Sequence, residues 1–459
     1  MMPPVVITIS DGIYVPKTIP HYFITALYRD LTIKNPAYIE AKSFQRSTKS
    51  IPKEIKLFKE MKEAIRLPRG YLFHLIKRLK DEKIAYEFVN ETVTVSVDYP
   101  EMVGCLRTYQ NEAILKAHKY RQGVIISPCG SGKTVMGIFF LAMTGQKTLW
   151  VTHTKDLMYQ TIDQIEKFLR IPAKEIGRIG DGKKVIGEKV TVGLVQSLVK
   201  YDKDLLRKSF GAIVIDEAHR VPSKTFQNIV EISKAKFRLG LTATPKRKDG
   251  LEPILYHVVG QTLYEITEED LLKENRILIP EVRKIFTDFR SKSADFQSLM
   301  KQLIKCRERN QLIVETVKET LNSCEVALLL SNRVAHCETI AKILKKEVPL
   351  LKIAVLTGKV SKDDREKVIN QARSNELNLI IATQLADEGL DIPNLNKLYL
   401  ATPAKSKSKV KQQLGRIMRN VEAKQTPVVY DFVDLQVPML QRHANIRTVV
   451  YNELGCEIW

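Results

Sequence analysis

The chain has 459 residues, 44% apolar and 27% charged, a balance that supports buried cores at a length that predicts about three domains. No run of about 18 uncharged apolar residues occurs and the N-terminus lacks the basic and apolar regions of a signal peptide, so neither a membrane helix nor secretion is expected, and the cytoplasm is. With 73 Lys and Arg against 52 Asp and Glu, the net charge of +21 favours a polyanion as partner without choosing between DNA and RNA.

Residues 1–98 mix short β-like runs at 5–9 and 92–97 with basic helical stretches. In one of these, Leu72, Leu75, Ile76 and Leu79 fall on a single helical face. Pro100 and the residues after it mark a boundary. From about 99 to 262, apolar runs at 123–126, 148–151, 190–194, 212–215 and 237–241 alternate with helical segments. Short apolar strands separated by helices predict a parallel sheet covered on both faces. The pattern recurs with runs at 326–330, 353–356, 379–382, 397–400 and 428–432, so a second lobe is expected over 263–459. The predicted class is therefore α/β: a small N-terminal α/β accessory domain and two tandem lobes built on parallel sheets. The six cysteines are scattered without Cys-x-x-Cys spacing, which predicts free thiols and no zinc site.

The sharpest local signal is Gly130-Ser131-Gly132-Lys133-Thr134, directly after the run 123–126 and before a helical segment. Glycines there let backbone N–H groups approach phosphates, and the helix N-terminus adds a favourable dipole. Lys133 would reach the β- and γ-phosphates of ATP, and the Thr134 hydroxyl would coordinate Mg²⁺. Ser127 stands where the usual first glycine of such a loop would be. Asp216-Glu217-Ala218-His219 follows the run 212–215, at the strand end where ligands of open α/β sheets bind. Asp216 suits Mg²⁺ coordination and Glu217 suits polarising the attacking water, with His219 closing the catalytic motif. In the second lobe, Arg416 and Arg419 of Gln412-Gln413-Leu414-Gly415-Arg416-Ile417-Met418-Arg419 are three apart, hence predicted on one face of a helix, and would neutralise the γ-phosphate as charge develops.

Together, in this order and over roughly residues 104–435, these motifs resemble the superfamily-2 helicases, and most closely the DNA helicases and translocases of the XPB and phage UvsW type. The resemblance implies two RecA-like lobes, ATP and Mg²⁺ as cofactors, and movement 3′ to 5′ along DNA. It makes Leu106-Arg107-Thr108-Tyr109-Gln110 the adenine-recognising motif, with Arg107 and Gln110 facing the nucleotide. It implies that Thr242 and Thr244 of Leu241-Thr242-Ala243-Thr244-Pro245, together with Gln412, link ATP state to the nucleic-acid grip. Cys129 and Ser127 are ordinary variants in that branch, and Lys246-Arg247-Lys248-Asp249 fits its Pro-x-Arg-x-Asp continuation. Carried over by position, Thr154, Lys155, Gln196, Ser197, Asn332, Arg333 and Thr383 would meet the nucleic-acid backbone, while Gly389 and Asp391 would face the nucleotide. Such contacts grip phosphates without reading bases, as a motor that steps along any sequence requires.

The resemblance stops before residues 1–98. Between Lys34 and Lys83 stand 14 Lys and Arg against 6 Asp and Glu, with Phe44, Phe58, Tyr71 and Phe73 interspersed, which suggests binding to duplex or branched DNA. The expected partner is DNA (single-stranded, forked or a four-way junction), acted on by a monomer in recombination, replication or repair. The compact length and the UvsW likeness point to phage origin. An RNA helicase and the motor subunit of a restriction system remain the alternatives.

Overall fold

The computed structural model describes every residue except 1–2, 129, 246, 248, 359, 384–389, 391, 405 and 422–423. It divides into two compact units, one comprising Met1–Pro128 and Gly132–Ile266, the other Cys129–Ser131 and Thr267–Trp459. No helix among the described residues is long and apolar enough to cross a membrane.

Besides a two-stranded antiparallel pair, Thr32–Lys34 with Glu54–Lys56, the first unit carries two main sheets. The smaller runs Lys59–Glu60, Ala64–Pro68, Gly12–Pro16, Val5–Ile9, Tyr86–Asn90, antiparallel except for its last pair. Helix Leu72–Asp81 covers it with the expected face, burying Leu75 and Leu79 fully while Leu72 and Ile76 are half-buried. The larger sheet is ordered Lys183–Val185, Gly177–Gly180, Val190–Leu194, Thr148–Thr152, Ala212–Ile215, Phe237–Thr242, Gln122–Ile126, Thr262–Glu265. It is parallel apart from the outer hairpin. Its central strands are buried on both faces, which is why they read as unbroken apolar runs. Helix Lys133–Thr144 lies against the sheet so closely that a Cβ on Gly137 would fall 2.4 Å from the Trp150 ring. Only glycine permits that approach.

The run 92–97 departs from its expected strand form. Val93 and Ser96 make isolated bridges to Ala235 and Gln146, and Val95 N–H donates to the Gln146 Oε1 atom at 2.8 Å. The segment is a strap across the larger sheet, because its backbone groups pair with the loops entering Phe237–Thr242 and Thr148–Thr152 rather than with one neighbouring strand. One apolar core runs from Ile7, Phe23 and Leu75 of the smaller sheet's layer into Val124, Ile215 and Val258 of the larger.

Polar contacts lock the same junction. The Arg69 side chain is buried and donates to Ala235 O (2.6 Å), Lys236 O (3.0 Å), Ser10 O (3.3 Å) and Gln122 Oε1 (3.3 Å), while Gln122 Nε2 returns a bond to Arg69 O at 2.8 Å. Arg66 bridges Asp11 (3.3 Å) and Glu231 (3.5 Å) across it. A Cβ on Gly70 would meet Tyr256 O at 2.3 Å, so two backbones touch there. Arg69 and Gly70 sit at the N-terminal ends of strands Gln122–Ile126 and Phe237–Thr242, opposite the ends that carry the phosphate loop.

The second unit is built on a six-stranded parallel sheet ordered Glu281–Phe286, Val428–Val433, Leu395–Leu400, Val326–Ser331, Leu379–Thr383, Ile353–Leu356. Five of these strands contain the predicted runs. Glu281–Phe286, the sixth, is half-exposed and too polar to stand out in the sequence, and Ile458 bridges to Val282 on its open edge. Two buried ion pairs fix the layer above the sheet: Arg309 with Asp434 at 2.7 Å, and Arg447 with Asp431 at 2.8 Å.

Arg69→Met strands four acceptors in a dry junction and should cost about 3 kcal/mol of stability. Urea unfolding should show the smaller sheet and the first lobe melting in one transition at a lower midpoint. A separate early transition, with the lobe unaffected, would contradict the shared core.

Candidate active site

Strand Gln122–Ile126 delivers the loop 127–132 to the N-terminus of helix Lys133–Thr144. Gly130 and Gly132 both adopt φ near +85°, the left-handed region that turns amide N–H groups inward. A Cβ on Gly132 would lie 2.5 Å from Gln110 Nε2, so the loop closes directly on the Gln110 amide. Gln110 is buried at the start of helix Thr108–Tyr120, where its Oε1 accepts from Arg107 N at 3.0 Å. Arg107 donates to the Tyr109 hydroxyl at 2.8 Å. The predicted adenine residues and phosphate loop are thus brought together. Ser131 is buried, and Thr134 is half-buried in the first turn of its helix. The Lys133 ammonium donates to Ser127 O (3.0 Å) and Pro128 O (3.1 Å), curled on its own loop.

Asp216 and Glu217 stand at the C-terminal end of Ala212–Ile215, between strands that end nearby. Burial, then the adjacent Glu217 carboxylate, push the Asp216 carboxyl above its ordinary range. Burial would raise Glu217 too, but the His219 hydrogen bond and the Lys133 charge outweigh it and hold that carboxyl low. A divalent cation at Asp216 would offset the repulsion that raises it, so this carboxylate and the Thr134 hydroxyl fit Mg²⁺. Glu217 has φ of +50°, unusual for a residue with a side chain, and is held there by a network. Its Oε2 lies 3.2 Å from His219 Nδ1, which is also 3.2 Å from Thr242 Oγ1 at the end of Phe237–Thr242. Arg247 donates to His219 O at 2.8 Å and forks onto Asp249 at 2.9 and 2.6 Å. The Pro-x-Arg-x-Asp wording of the sequence therefore has a physical role: it ties the segment after Thr244 to the acid motif. The sequence alone did not reveal the left-handed turn at Glu217 or the carbonyl that Arg247 grips.

The predicted phosphate-gripping residues of the first unit also converge. Thr154 caps helix Lys155–Leu169, accepting from Leu157 N at 3.3 Å. Lys155 pairs with Asp181 at 2.5 Å, at the tip of the hairpin joining Gly177–Gly180 to Lys183–Val185. Gln196 is exposed and donates to His153 O at 3.4 Å, and Ser197 is half-buried beside it. All four lie where the adjacent strands Thr148–Thr152 and Val190–Leu194 end.

In the second unit, Asn332 N–H donates to Thr402 Oγ1 (2.9 Å) and its amide to Pro403 O (3.1 Å), while Arg333 bonds Gln297. Thr383 is buried at the end of Leu379–Thr383, in register with Ser331. Gln412 is half-buried on helix Lys407–Ile417, as is Arg416, whose Nη1 donates to Leu390 O at 2.8 Å.

Arg419 corrects an expectation. The helix ends at Ile417, and Arg419 lies beyond it, bridged to Ile277, because Leu278 N–H captures the Met418 carbonyl and pulls the chain into a strand-like path. Arg416 and Arg419 therefore do not share a helix face. Gly389, Asp391, Cys129, Lys246 and Lys248 lie outside the described residues.

The aromatic residues of the basic N-terminal stretch separate too. Phe58 is buried, stacked on Tyr28 at 4.1 Å, and Tyr71 is buried with its hydroxyl on Asp30 at 2.6 Å. Phe73 is half-buried. Phe44 is the exception, 64% exposed with the Arg46 guanidinium 5.3 Å from its ring. Lys42, Lys49 and Lys53 are exposed along the same stretch. Among the described residues no cluster of three or more His, Cys, Asp or Glu could hold a metal ion.

Comparison with known proteins agrees with this layout. Residues 104–247 match the family model of the type III restriction enzyme res subunit, and residues 308–421 match that of the helicase conserved C-terminal domain. A putative ATP-dependent RNA helicase of Acanthamoeba polyphaga mimivirus is 27% identical over 423 residues, 86% of this chain and 77% of that one. A DNA 3′-5′ translocase, XPB2, of Sulfurisphaera tokodaii is 27% identical over 368 residues, 72% of this chain and 83% of that one. A fragment of a putative HsdR subunit of a type I restriction enzyme from Vibrio vulnificus shares the fold, with a TM-score of 0.58 at 19% identity over 75% of this chain and 67% of that one. Two tandem parallel-sheet lobes, a phosphate loop closed on Gln110, and an acid motif wired to Thr242 and Arg247 place the chain among the superfamily-2 helicases of the XPB and UvsW type.

Proposed function

We propose that the chain is an ATP-dependent DNA helicase or translocase that moves 3′ to 5′ and remodels forked or four-way DNA. The observation that carries this reading is the hydrogen-bonded group of Glu217, His219, Thr242 and Arg247 at the strand ends beside Lys133. It is a hydrolytic centre with a built-in connection to the segment that follows Thr242.

In this mechanism Gln110 and Arg107 seat the adenine, and the backbone N–H groups of Gly130, Ser131 and Gly132 cradle the phosphates. Lys133 leaves its loop carbonyls for the β- and γ-phosphates, an exchange that costs little because the acceptors it gives up are neutral. Mg²⁺, held by Thr134 and Asp216, would neutralise charge on those phosphates. Glu217, kept ionised by His219 and Lys133, is fit to take up the proton of the attacking water. Arg416 and Arg419 supply positive charge to the γ-phosphate from the second lobe. Thr154, Lys155, Gln196 and Ser197 on one lobe, and Asn332, Arg333 and Thr383 on the other, form two separate grips on a phosphate backbone. The exposed set Lys42, Arg46, Lys49 and Lys53, with Phe44 free to stack, is the proposed duplex contact of the accessory domain.

Turnover of ATP with Mg²⁺ should be stimulated most by forked or four-way DNA, less by single strands, and least by RNA. Stimulation by RNA equal to or above that by DNA would keep the motor and move its substrate, in keeping with the name of the mimiviral relative. Lys133→Ala should lower kcat by about 10³-fold or more while single-stranded DNA affinity without nucleotide stays within about threefold. Neutralising Lys42, Arg46, Lys49 and Lys53 together should flatten the salt dependence of duplex binding by about 3 in the log–log slope. An unchanged slope would remove the accessory domain from the interface.

A further inference from the structure

Helix Lys407–Ile417 ends with carbonyls that the helix itself cannot satisfy. The last of them, Ile417 O, is taken by a side chain. The Lys424 ammonium donates to Ile417 O at 2.7 Å and Arg419 O at 2.8 Å, and its third proton goes to Pro393 O at 3.0 Å. All three donors of one side chain are thus spent on main chain, a use that neither an aspartate partner nor surface solvation explains. A cation at a helix C-terminus is also favoured by the helix dipole.

The other side of the same segment is equally fixed. Leu278 N–H donates to Met418 O, Asn420 N–H donates to Arg276 O, and the Asn420 amide donates to Asn275 O at 2.9 Å. Residues 418–420 are held between a strand-like segment on one side and a half-buried lysine on the other. The lysine reaches further. Pro393 closes the stretch that begins at Leu390, whose carbonyl accepts from Arg416 at 2.8 Å. Arg416 and Lys424 therefore hold the carbonyls of Leu390 and Pro393, joining the motif that ends at Pro393 to the helix that carries Arg416 and to the segment just beyond it.

We propose that Lys424 is the positioning residue for Arg419: fixed on the carbonyls of Pro393, Ile417 and Arg419, its ammonium sets the backbone from which that guanidinium projects. The assignment rests on the proposed role of Arg419 in hydrolysis. Arg419 has left the helix, so helical geometry cannot aim it, and the lysine takes over that task. A residue reaching for charge developing on a phosphate loses effect steeply when displaced by an ångström. Loss of the lysine grip should therefore act on kcat more than on nucleotide binding.

The test is steady-state ATP turnover with saturating forked DNA for the wild type, Lys424→Met, Lys424→Gln, Lys424→Arg, Arg419→Ala and the double variant Arg419→Ala/Lys424→Met. Lys424→Met should lower kcat by about tenfold or more and change KM for ATP by less than about threefold. Lys424→Gln, which keeps two N–H donors and covers the case that the methionine variant does not fold, should lose about half as much on a logarithmic scale. Lys424→Arg should recover most of the rate. In the Arg419→Ala background, Lys424→Met should cost less than about twofold, since the residue it serves is gone. Equal cost in both backgrounds, or wild-type kcat in folded Lys424→Met, would overturn the proposal. Wild-type kcat in Arg419→Ala would instead remove the arginine role on which it depends.

Discussion

The carboxylate pair at the end of strand Ala212–Ile215 is the constraint around which the first lobe is arranged. Two acids side by side, Asp216 buried and Glu217 half-buried, repel each other and resist burial, and the fold separates their behaviour. Glu217 is turned into a left-handed conformation that points it at His219, and this partner with Lys133 keeps it ionised. For Asp216, burial and the Glu217 charge outweigh the help of Lys133 and of the Glu217 N–H, and it is pushed up, which is the condition a divalent cation would relieve. One strand end thus offers a carboxylate fit for metal and another fit for water.

From that pair the connections run outward through neutral and charged hydrogen bonds. His219 reaches Thr242 on the next strand, and Arg247 holds the His219 carbonyl while forking onto Asp249. Because the strands Ala212–Ile215 and Phe237–Thr242 are neighbours in register, the link is short and rigid. A chain of contacts therefore runs from Glu217 through His219 to Thr242 and Arg247. The N-terminal sheet stays out of this traffic: Arg69 and Gly70 fasten it to the opposite ends of the same strands, leaving the catalytic ends open. It belongs to the same compact unit as the first lobe, so the duplex contact proposed for its basic stretch would be carried on that unit.

Much of this was legible in the sequence where physics leaves few choices. A strand buried on both faces must be apolar throughout, so the runs 148–151, 212–215 and 326–330 announced themselves. The phosphate loop was legible because only glycines at 130 and 132 tolerate φ near +85°. What the sequence hid was tertiary. Spacing placed Arg416 and Arg419 on one helix, but a carbonyl captured by Leu278 ends that helix first. Composition placed four aromatics in a basic surface, yet Phe58 and Tyr71 fill a core, since a ring's periodicity does not say which way its backbone faces. The run 92–97 had β-branched character without a strand to pair with, and became a strap. Glu281–Phe286 failed to register because an edge strand is permitted to be polar.

The most direct test of the account is single-turnover hydrolysis by Glu217→Gln with forked DNA and Mg²⁺, alongside equilibrium binding of ATP. The account predicts that binding stays within about threefold of wild type while the hydrolytic rate falls by about 10²–10³-fold, because the proton acceptor is gone and the phosphate loop is untouched. Hydrolysis at the wild-type rate would place the chemistry on other residues, and the arrangement of His219, Thr242 and Arg247 around Glu217 would need another explanation.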